Sequence, residues 1–542
     1  MNDYRQIIKE AKVGQIVPIV KRIEMDDPVA FFAKLTDYGR AKNCCLLESR
    51  EYLADSGALS FGTARPALYL AGKGDEFTIK ALSVAGMRML EYLSTHGKDR
   101  FKFAASVEFT PEAITGRIGR ADVKSEEGGS RTAPTDEESR LKATNQMDVL
   151  RAVAFAFELA SRPFRVTCGL LGAISYDFID QFEKLPASKN DLLKNPDYEL
   201  YFADNIFLMD HQENAGYIVV NVMITNGNRD EIIRNAQETF DYYYNMARFD
   251  TPVGRRYDGN LPPANTDTDQ GEYERMVNLA KRHIVEGDIF QVVLSRTITE
   301  PCPDEPLDVY KRLRKLNPSP YMFYINTPHT TLIGSSPELN VRVSGKETRY
   351  VEIRPIAGTK PRGRIGEAID ADTDFRYEAE LKLDRKELAE HMMLVDLARN
   401  DIARVAIPGT RVVTELLTVE KYASVQHLVS NVKGQLRGDL DALSVYLATM
   451  NMGTLTGAPK IEAMKIIRDL EKNKRGYYGG AVMYLTVDGN FDSCITIRSL
   501  QVKDRVAYVR AGAGIVYDSV PKTEYDETQA KANSCLRAIR GK

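Results

Sequence analysis

The segment Ala511-Gly-Ala-Gly-Ile-Val-Tyr-Asp-Ser519 is the most informative part of this chain. It follows residues Arg505 to Arg510, whose alternating and β-branched side chains predict a strand. Its glycines predict a backbone turn that lies close to another group, because glycine has no side chain to keep that group away. Residues Thr523 to Arg540 then repeat with the spacing of a helix. A strand, a glycine turn and a helix therefore meet near the C-terminus.

Two carboxylates and an ammonium group share one face of this last helix. Glu524 and Glu527 are three residues apart, and Lys531 is four residues beyond Glu527. This spacing places the three side chains on the same side of the helix. Two neighbouring carboxylates repel each other unless a cation joins them. The pair therefore belongs either to a metal site or to a solvated helix surface.

A second acidic pair favours the metal site. Glu387 and Glu390 are again three residues apart, in a helical pattern from Glu380 to Val405, and His391 is next to them. Four glutamates from two helices could form an oxygen-rich site for Mg²⁺, which keeps several waters and takes one or two protein carboxylates directly. His391 is either a further ligand or a hydrogen-bonded neighbour of the acids.

Composition excludes several classes of protein. The 542 residues predict several domain-sized units or fewer large ones. The net charge of -3 gives no basic surface for nucleic acid, and no segment has the apolar length of a membrane span. The N-terminus, Met1-Asn-Asp-Tyr-Arg5, lacks an apolar signal core. The six cysteines are scattered without a disulfide framework, so we expect a cytoplasmic protein.

Two polar segments interrupt the chain. Residues 122–146 are charged and rich in glycine and serine, and residues 251–270 contain three prolines among Asn, Thr and Asp. The second segment predicts a linker between an N-terminal region, 1–250, and a C-terminal region, 271–542. Strand and helix patterns alternate in mixed order on both sides, which favours an α/β or α+β fold.

Glycine and proline motifs punctuate the C-terminal region. They include Gly334-Ser-Ser-Pro-Glu338, Arg354-Pro-Ile-Ala-Gly-Thr359 and Gly453-Thr-Leu-Thr-Gly-Ala-Pro-Lys460. Each is either an ordinary tight turn or part of a binding site; the third precedes a helix, whose free N–H groups favour an anion such as a carboxylate. Arg498, at the end of a strand pattern, is either a carboxylate ligand or a partner in a surface salt bridge. Together the motifs predict a site for an anionic small molecule beside Mg²⁺.

The ordered motifs resemble those of the chorismate-utilising enzymes over nearly all of residues 271 to 540. The resemblance implies large antiparallel sheets flanked by helices, with the active site in a cleft between them. The motifs that carry it are Gly287-Asp-Ile-Phe-Gln-Val-Val-Leu-Ser-Arg296, Gly334 to Glu338, Arg354 to Thr359, Asp384-Arg-Lys-Glu-Leu-Ala-Glu-His391, Gly453 to Lys460, Tyr477-Tyr-Gly-Gly480 and Ala511 to Gly514.

The resemblance also implies roles for individual residues. Glu390 and Glu527 are the expected Mg²⁺ ligands, supported by Glu387 and Glu524, and the metal would hold the ring carboxylate of chorismate. Positions expected to bind chorismate are Gly358, Thr359, Tyr478, Arg498, Gly512, Ala513, Gly514 and Lys531.

Two further residues match positions that carry chemistry in these enzymes. His427 matches the histidine with an acid/base role. Glu338 matches the candidate general acid for loss of the C4 hydroxyl of chorismate.

Two positions indicate a branch of the family. Residue 291 is a water-activating lysine in the relatives that make isochorismate or salicylate, and here it is Gln291, which cannot act as that base. Residue 357 is typically a nucleophilic lysine in aminodeoxychorismate synthases, and here it is Ala357. The resemblance therefore implies direct attack of ammonia at C2 and release of pyruvate, the lyase reaction that gives anthranilate, the first step of tryptophan biosynthesis.

The N-terminal region contributes a candidate regulatory site. Leu46-Leu-Glu-Ser49 and Pro320-Tyr-Met-Phe-Tyr324 resemble the paired tryptophan-binding segments of the component I chains of the anthranilate-forming branch. Ser49, Pro320, Tyr321 and Met322 would then line a site for feedback inhibition by L-tryptophan. The chain itself contains no tryptophan, which suits an enzyme needed when that amino acid is scarce.

No cysteine lies in a nucleophile-elbow context, so the resemblance implies a separate glutamine amidotransferase subunit that supplies ammonia within a hetero-oligomer. Two alternatives stay open. One is an aminodeoxychorismate synthase component I, whose product keeps the enolpyruvyl group. The other is a non-catalytic homologue that only binds tryptophan.

Overall fold

The computed structural model describes residues 4–49, 59–119, 141–366, 368–422 and 425–541. Most of the predicted linker 122–146 lies outside these residues. None of the described helices combines the length and apolar character needed to cross a bilayer.

The described part of residues 1–250 alternates helices and strands. Its elements are α1 (Tyr4–Glu10), β1 (Gln15–Ile23), α2 (Pro28–Leu35), β2 (Cys44–Glu48), β3 (Leu59–Thr63), β4 (Leu68–Lys73), β5 (Glu76–Ala81), α3 (Val84–His96), β6 (Ala104–Phe109), β7 (Ala113–Ile118), α4 (Met147–Ala154), β8 (Glu158–Leu159), β9 (Gly169–Ile174), β10 (Tyr198–Ala203), β11 (Asn205–Asp210), β12 (Ala215–Met223) and α5 (Arg229–Arg248).

The remainder continues the same alternation. Its elements are β13 (Asn265–Thr266), α6 (Gln270–Glu286), β14 (Gln291–Pro301), α7 (Pro306–Leu316), β15 (Tyr321–Asn326), β16 (Thr331–Ser336), β17 (Leu339–Ser344), β18 (Tyr350–Ile353), β19 (Ile356–Pro361), β20 (Arg364–Ile365), β21 (Ala368–Ile369), α8 (Ala371–Leu383), α9 (Arg385–Ala403), β22 (Val412–Lys421), β23 (Val425–Gln435), α10 (Ala442–Thr449), β24 (Gly457–Ala458), α11 (Lys460–Leu470), β25 (Ala481–Thr486), β26 (Phe491–Ile495), β27 (Ser499–Lys503), β28 (Val506–Ile515) and α12 (Pro521–Arg540).

These strands form two large sheets, which confirms the predicted architecture. The first has the order β13-β14-β28-β27-β16-β15-β2-β3-β11-β12-β1-β8, with β24 paired to β14. The second has the order β19-β23-β18-β17-β26-β25-β9-β10-β4-β5-β7-β6, with β22 paired to β23. Within the large sheets, the described pairs are antiparallel except for the short β1–β8 contact.

Both sheets draw strands from both halves of the chain. In the first sheet β15 pairs with β2, where Phe323 lies opposite Leu47. In the second sheet β25 pairs with β9, where Ala481 lies opposite Ile174. Residues 251–270 therefore join two halves whose strands pair with each other.

The two sheets pack face to face, and helices cover their outer faces. Residues such as Tyr201, Phe323 and Val482 fill the layer between the sheets. Other strand residues point outward: Leu200 belongs to the same buried cluster as Leu93 of α3, and Val509 to the same cluster as Leu536 of α12. Each fully buried side chain of this size contributes about 1.5–3 kcal/mol to folding.

Two local predictions were wrong. The predicted helix from Glu380 to Val405 is broken at Asp384, whose carboxylate instead caps α9 by accepting hydrogen bonds from the N–H groups of Lys386 and Glu387 at 3.0 and 3.3 Å. The predicted glycine turn after Arg510 is a continuation of β28, which stays paired with β14 as far as Ile515. Pairing with a neighbouring strand holds these glycines in an extended conformation.

Candidate active site

The four glutamates of the two acidic pairs face one another between α9 and α12. The carboxylate of Glu390 is half-buried, and its pKa is raised first by burial and then by the negative charges of Glu387, Glu527 and Glu524. Burial and the charge of Glu527 likewise raise the pKa of Glu387 and of Glu524. The negative charges of neighbouring carboxylates therefore disfavour the charged forms of Glu387, Glu390 and Glu524, and a bound cation would relieve that repulsion.

No three of these carboxylates form a tight cluster in the described part of the chain. Across the described residues, the only three His, Cys, Asp or Glu side chains with ligand atoms within 4.8 Å of one another are His283, Glu286 and Asp288, at the exposed end of α6. The four glutamates thus leave space between them, which suits an ion that keeps several of its waters. Mg²⁺ at this position stays a prediction.

His391 is hydrogen-bonded rather than placed among the carboxylates. Its side chain is fully buried under α9, and its Nε2 lies 2.7 Å from the Ser430 hydroxyl on β23. Burial lowers the pKa of its imidazole, which keeps the ring neutral at pH 7. Of the two alternatives left open by the sequence, the structure favours the hydrogen-bonded neighbour.

Lys531 connects the acidic helix to the floor of the site. Its ammonium lies 2.5 Å from Glu527 Oε1 and donates to the backbone carbonyl of Gly512 at 3.2 Å. Gly512 lies opposite Ser295 in the β14–β28 pair. The floor of the site is therefore a strand whose position is fixed both by its neighbour strand and by the acidic helix.

The glycines of β28 leave space that a side chain would fill. A Cβ atom added to Gly512 would lie 2.6 Å from the carbonyl oxygen of Leu294 and 3.0 Å from the hydroxyl of Tyr478. A Cβ atom on Gly514 would lie 2.7 Å from Nε2 of Gln291. The surface so formed is bare backbone beside a tyrosine hydroxyl and an amide, which can donate and accept hydrogen bonds.

We expect Gly512→Ala to raise the KM for the predicted anionic substrate by at least about tenfold and to lower the thermal midpoint, since the added methyl must displace the Leu294 carbonyl or Tyr478. Gly438→Ala is the control, because a Cβ atom there meets no other atom within 4 Å. Steady-state kinetics and thermal unfolding of both variants test the expectation. Wild-type affinity in Gly512→Ala would contradict it.

Glu338 is a buried carboxyl group with a strongly raised pKa. Burial raises its pKa to about 7, although the Thr454 hydroxyl and the positive charges of Arg498 and Lys531 act in the opposite direction. Part of its population is therefore protonated at neutral pH, as a general acid requires. Arg498 itself has a left-handed backbone, with φ of 48°, at the end of β26. The structure thus brings together the predicted acid and two predicted anion-binding residues.

His427 lies beside the glycine of the Arg354 to Thr359 motif. Its Nδ1 is 2.8 Å from the Thr359 hydroxyl, and the backbone of Gly358 hydrogen-bonds to the ring. Burial lowers the pKa of His427, and the charge of Arg498 lowers it further. The imidazole is therefore neutral at pH 7 and able to accept a proton.

Gly358 connects His427 to the acidic face. Its φ of +80° is unfavourable for other residues, and a Cβ atom there would lie 3.1 Å from a carboxylate oxygen of Glu387. The predicted chorismate-binding, acid/base and metal-binding residues therefore lie together in one region, which is termed the cleft. It is bounded by β19 and β23 of the second sheet, β28 of the first, and helices α9 and α12.

A separate cavity of about 300 Å³ contains the four predicted regulatory residues. Ser49, Pro320, Tyr321 and Met322 all line it. The hydroxyl of Tyr321 donates to Asp492 at 3.1 Å, so the tyrosine is fixed in the wall.

Arg354, Glu420 and Tyr422 are among the residues of the same wall that the sequence did not indicate. Arg354 belongs to a recognised motif but had no assigned role. Glu420 and Tyr422 carry no motif, because only the pairing of β22 with β23 brings them to the cavity.

Comparison with known proteins identifies relatives of the whole chain. Residues 111–537 match the family described as chorismate binding enzymes. The anthranilate synthase component 1 of Vibrio cholerae is 40% identical over 520 residues, which cover 95% of this chain and 94% of the relative. The anthranilate synthase component 1 of Escherichia coli K12 is 39% identical over 519 residues, covering 95% of each chain.

Solved structures agree with the fold. The crystal structure of anthranilate synthase component I from Streptococcus pneumoniae superposes with a TM-score of 0.69 and 27% identity, covering 90% of this chain and 94% of the other. The menaquinone-specific isochorismate synthase MenF of Escherichia coli superposes with a TM-score of 0.62, covering 99% of this chain and 98% of the other. Its sequence identity is 16%, so it supports the fold alone.

Proposed function

This chain belongs to the chorismate binding enzymes, and within them to the anthranilate synthase component 1 group; from that premise we propose that it converts chorismate and ammonia to anthranilate, water and pyruvate. The observation that carries this proposal is Gln291 on the floor of the cleft. Its side chain is buried, and its Oε1 has no hydrogen-bond partner within the described part of the chain. An amide oxygen can accept a hydrogen bond from ammonia but cannot deprotonate water.

We propose a first step in which ammonia forms a bond to C2 of chorismate and the C4 hydroxyl leaves. Glu338 gives its proton to the departing hydroxyl, which is released as water. The guanidinium of Arg498 and the ammonium of Lys531 hold the anionic substrate, and the backbone of Gly512 and Gly514 lets the ring approach the strand closely.

In the second step the ring becomes aromatic. The neutral imidazole of His427 takes the proton from C2, and the enolpyruvyl group leaves and is protonated to pyruvate. Glu387, Glu390, Glu524 and Glu527 would hold Mg²⁺, which when bound neutralises the carboxylates and orients the ring carboxylate of the substrate. Thr359 keeps the imidazole in place through its hydrogen bond.

The test is the reaction itself. The purified chain is incubated with chorismate, Mg²⁺ and an ammonium salt at alkaline pH, and anthranilate fluorescence and pyruvate are measured. We expect both products in equal amounts. Consumption of chorismate with retention of the enolpyruvyl group would instead identify an aminodeoxychorismate synthase, and no consumption would favour a binding protein.

We further propose that a glutamine amidotransferase subunit supplies the ammonia. Support comes from the names of the relatives, each of which is called component 1. The chain alone should then use ammonium salts and not glutamine. Formation of anthranilate from glutamine by the isolated chain would contradict this.

Feedback inhibition by L-tryptophan is the regulatory part of the proposal. Its support is the clustering of Ser49, Pro320, Tyr321 and Met322 in one cavity. Binding can be followed directly, because the chain contains no tryptophan and the ligand therefore supplies the only indole.

We expect Ser49→Tyr to weaken L-tryptophan binding by at least about tenfold, since the larger side chain occupies part of the cavity. Turnover without tryptophan should be unchanged. The measurements are indole fluorescence on titration and the rate with and without the amino acid. Unaltered binding and inhibition in this variant would exclude the cavity as the regulatory site.

A further inference from the structure

Three residues of the cavity wall form a connected group, defined here as the wall triad: Arg354, Glu420 and Tyr422. The guanidinium of Arg354 pairs with one carboxylate oxygen of Glu420, and the hydroxyl of Tyr422 donates to the other at 2.8 Å. The side chains of Arg354 and Glu420 are 15% and 16% exposed. Solvent screens such a pair only weakly, so its geometry is well defined.

The wall triad also contacts His427, which lies on the neighbouring strand β23. Glu420 lies directly opposite His427 in the β22–β23 pair. The ring of Tyr422 meets the imidazole edge to face, with centroids 5.4 Å apart and planes at 65°. On the other neighbouring strand, Thr359 lies opposite His427 and bonds its Nδ1.

The charged groups around His427 come from different elements. Arg498, after β26, presents a positive charge, whereas Glu420, on β22, presents a negative one. The guanidinium of Arg354 partly neutralises the negative charge of Glu420 by pairing with it. A movement of Arg354 therefore alters the surroundings of the His427 imidazole, because only the Glu420 carboxylate lies between the two side chains.

We propose that Glu420 is a positioning residue for His427, and that an amino acid bound in the cavity inhibits the enzyme by drawing Arg354 away from Glu420. The inference rests on the proposed function. The ligand's carboxylate competes with Glu420 for the guanidinium, and the released Glu420 and Tyr422 no longer hold the imidazole in its reactive orientation. The ligand thereby favours the arrangement in which Arg354 faces the cavity.

Two substitutions on β22 test the positioning role of Glu420. Glu420→Gln keeps the size of the side chain and removes its charge. Glu415→Gln is the matched control, because Glu415 lies 3.8 Å from the same guanidinium but opposite Asn431 instead of His427. Tyr422→Phe is a further variant, which keeps the ring against His427 and removes the hydroxyl that donates to Glu420.

We expect Glu420→Gln to lower kcat about tenfold while the KM for chorismate changes less than about threefold. Tyr422→Phe should act in the same direction with a smaller effect, and Glu415→Gln should stay within about twofold of wild type. The maximal inhibition by L-tryptophan should fall to less than about half of the wild-type extent in Glu420→Gln, although indole fluorescence still shows binding at least as tight, because glutamine holds the Arg354 guanidinium less firmly. Wild-type kcat and inhibition in a folded Glu420→Gln protein would overturn the proposal.

A readout independent of turnover separates this inference from the proposed function. NMR spectra are recorded on protein isotopically labelled at histidine. The signal of the His427 imidazole is identified as the one that is missing in His427→Asn. The signal should shift in Glu420→Gln and not in Glu415→Gln, whatever product the enzyme makes. It should also shift in wild type when L-tryptophan binds. An unshifted signal in Glu420→Gln overturns the positioning role, and an unshifted signal with tryptophan bound overturns the coupling. Absence of anthranilate in wild type refutes only the proposed function.

Discussion

Replacement of Glu338 by glutamine should lower kcat by about 10²–10⁴-fold and leave the KM for chorismate within a few-fold of wild type. Glutamine has nearly the same shape but cannot give a proton to the departing C4 hydroxyl. The two cations that act on Glu338, Arg498 and Lys531, remain available to bind substrate. Steady-state kinetics with ammonium salts measure both parameters.

The pKa of about 7 for Glu338 predicts how both the stability of the protein and its kcat/KM depend on pH. Because the folded-state pKa lies above the unfolded value of 4.5, the stability that Glu338 contributes is complete below about pH 4.5 and is lost as pH rises through about 7. Glu338→Gln should therefore be no less stable than wild type at pH 8. At constant free ammonia, kcat/KM of the wild type should fall as pH rises above about 7, because the acid loses its proton.

Glu300→Gln is the control for burial alone. Glu300 is as buried as Glu338 but lies at the far end of β14, roughly 30 Å along the strand from Gln291, where it pairs with Arg540. This variant should lower the thermal midpoint and leave kcat unchanged, which is the reverse of the pattern for Glu338→Gln. Equal activity of Glu338→Gln and wild type would remove Glu338 from the mechanism.

Glu527→Gln should raise the Mg²⁺ concentration needed for half-maximal activity by at least about 100-fold. The charge of Glu527 disfavours the charged form of Glu390, so its removal also reduces electrostatic repulsion in the metal-free protein. Its thermal midpoint without Mg²⁺ should therefore rise, and the stabilisation by added Mg²⁺ should shrink, because that stabilisation depends on the ratio of concentration to Kd. Thermal unfolding with and without Mg²⁺ measures this without any turnover.

Asp526→Asn is the matched control for this substitution. Asp526 is next to Glu527 on the same helix, but its carboxylate is exposed and pairs with Lys522 at 2.6 Å. Its variant should keep the Mg²⁺ requirement of the wild type. If Glu527→Gln and Asp526→Asn respond to Mg²⁺ alike, the metal is not held by Glu527.

Local patterns in the sequence were sufficient to predict the last helix, which carries part of the candidate active site. The helix predicted over Thr523 to Arg540 is observed at Pro521–Arg540, within two residues of its predicted start. The helical spacing of Glu524, Glu527 and Lys531 correctly placed them on one face, since that arrangement depends only on the chain itself.

Features that depend on distant parts of the chain were not predictable in this way. Nothing local indicates that β2 pairs with β15, or that Glu420 lies opposite His427. The break at Asp384 was missed because the flanking residues keep the helical pattern, and only the cap hydrogen bonds reveal it. The wall triad depends on strand register, which short motifs do not encode.

The pairing of strands from both halves has a consequence for biosynthesis. While the ribosome is still making the second half, the first half carries two unpaired edges, at β2 and at β9. The edge of β2 is covered only when β15 has emerged, and that of β9 only after residue 486. The nascent chain therefore exposes unpaired strand edges, which favour aggregation, until about nine-tenths of it is synthesised.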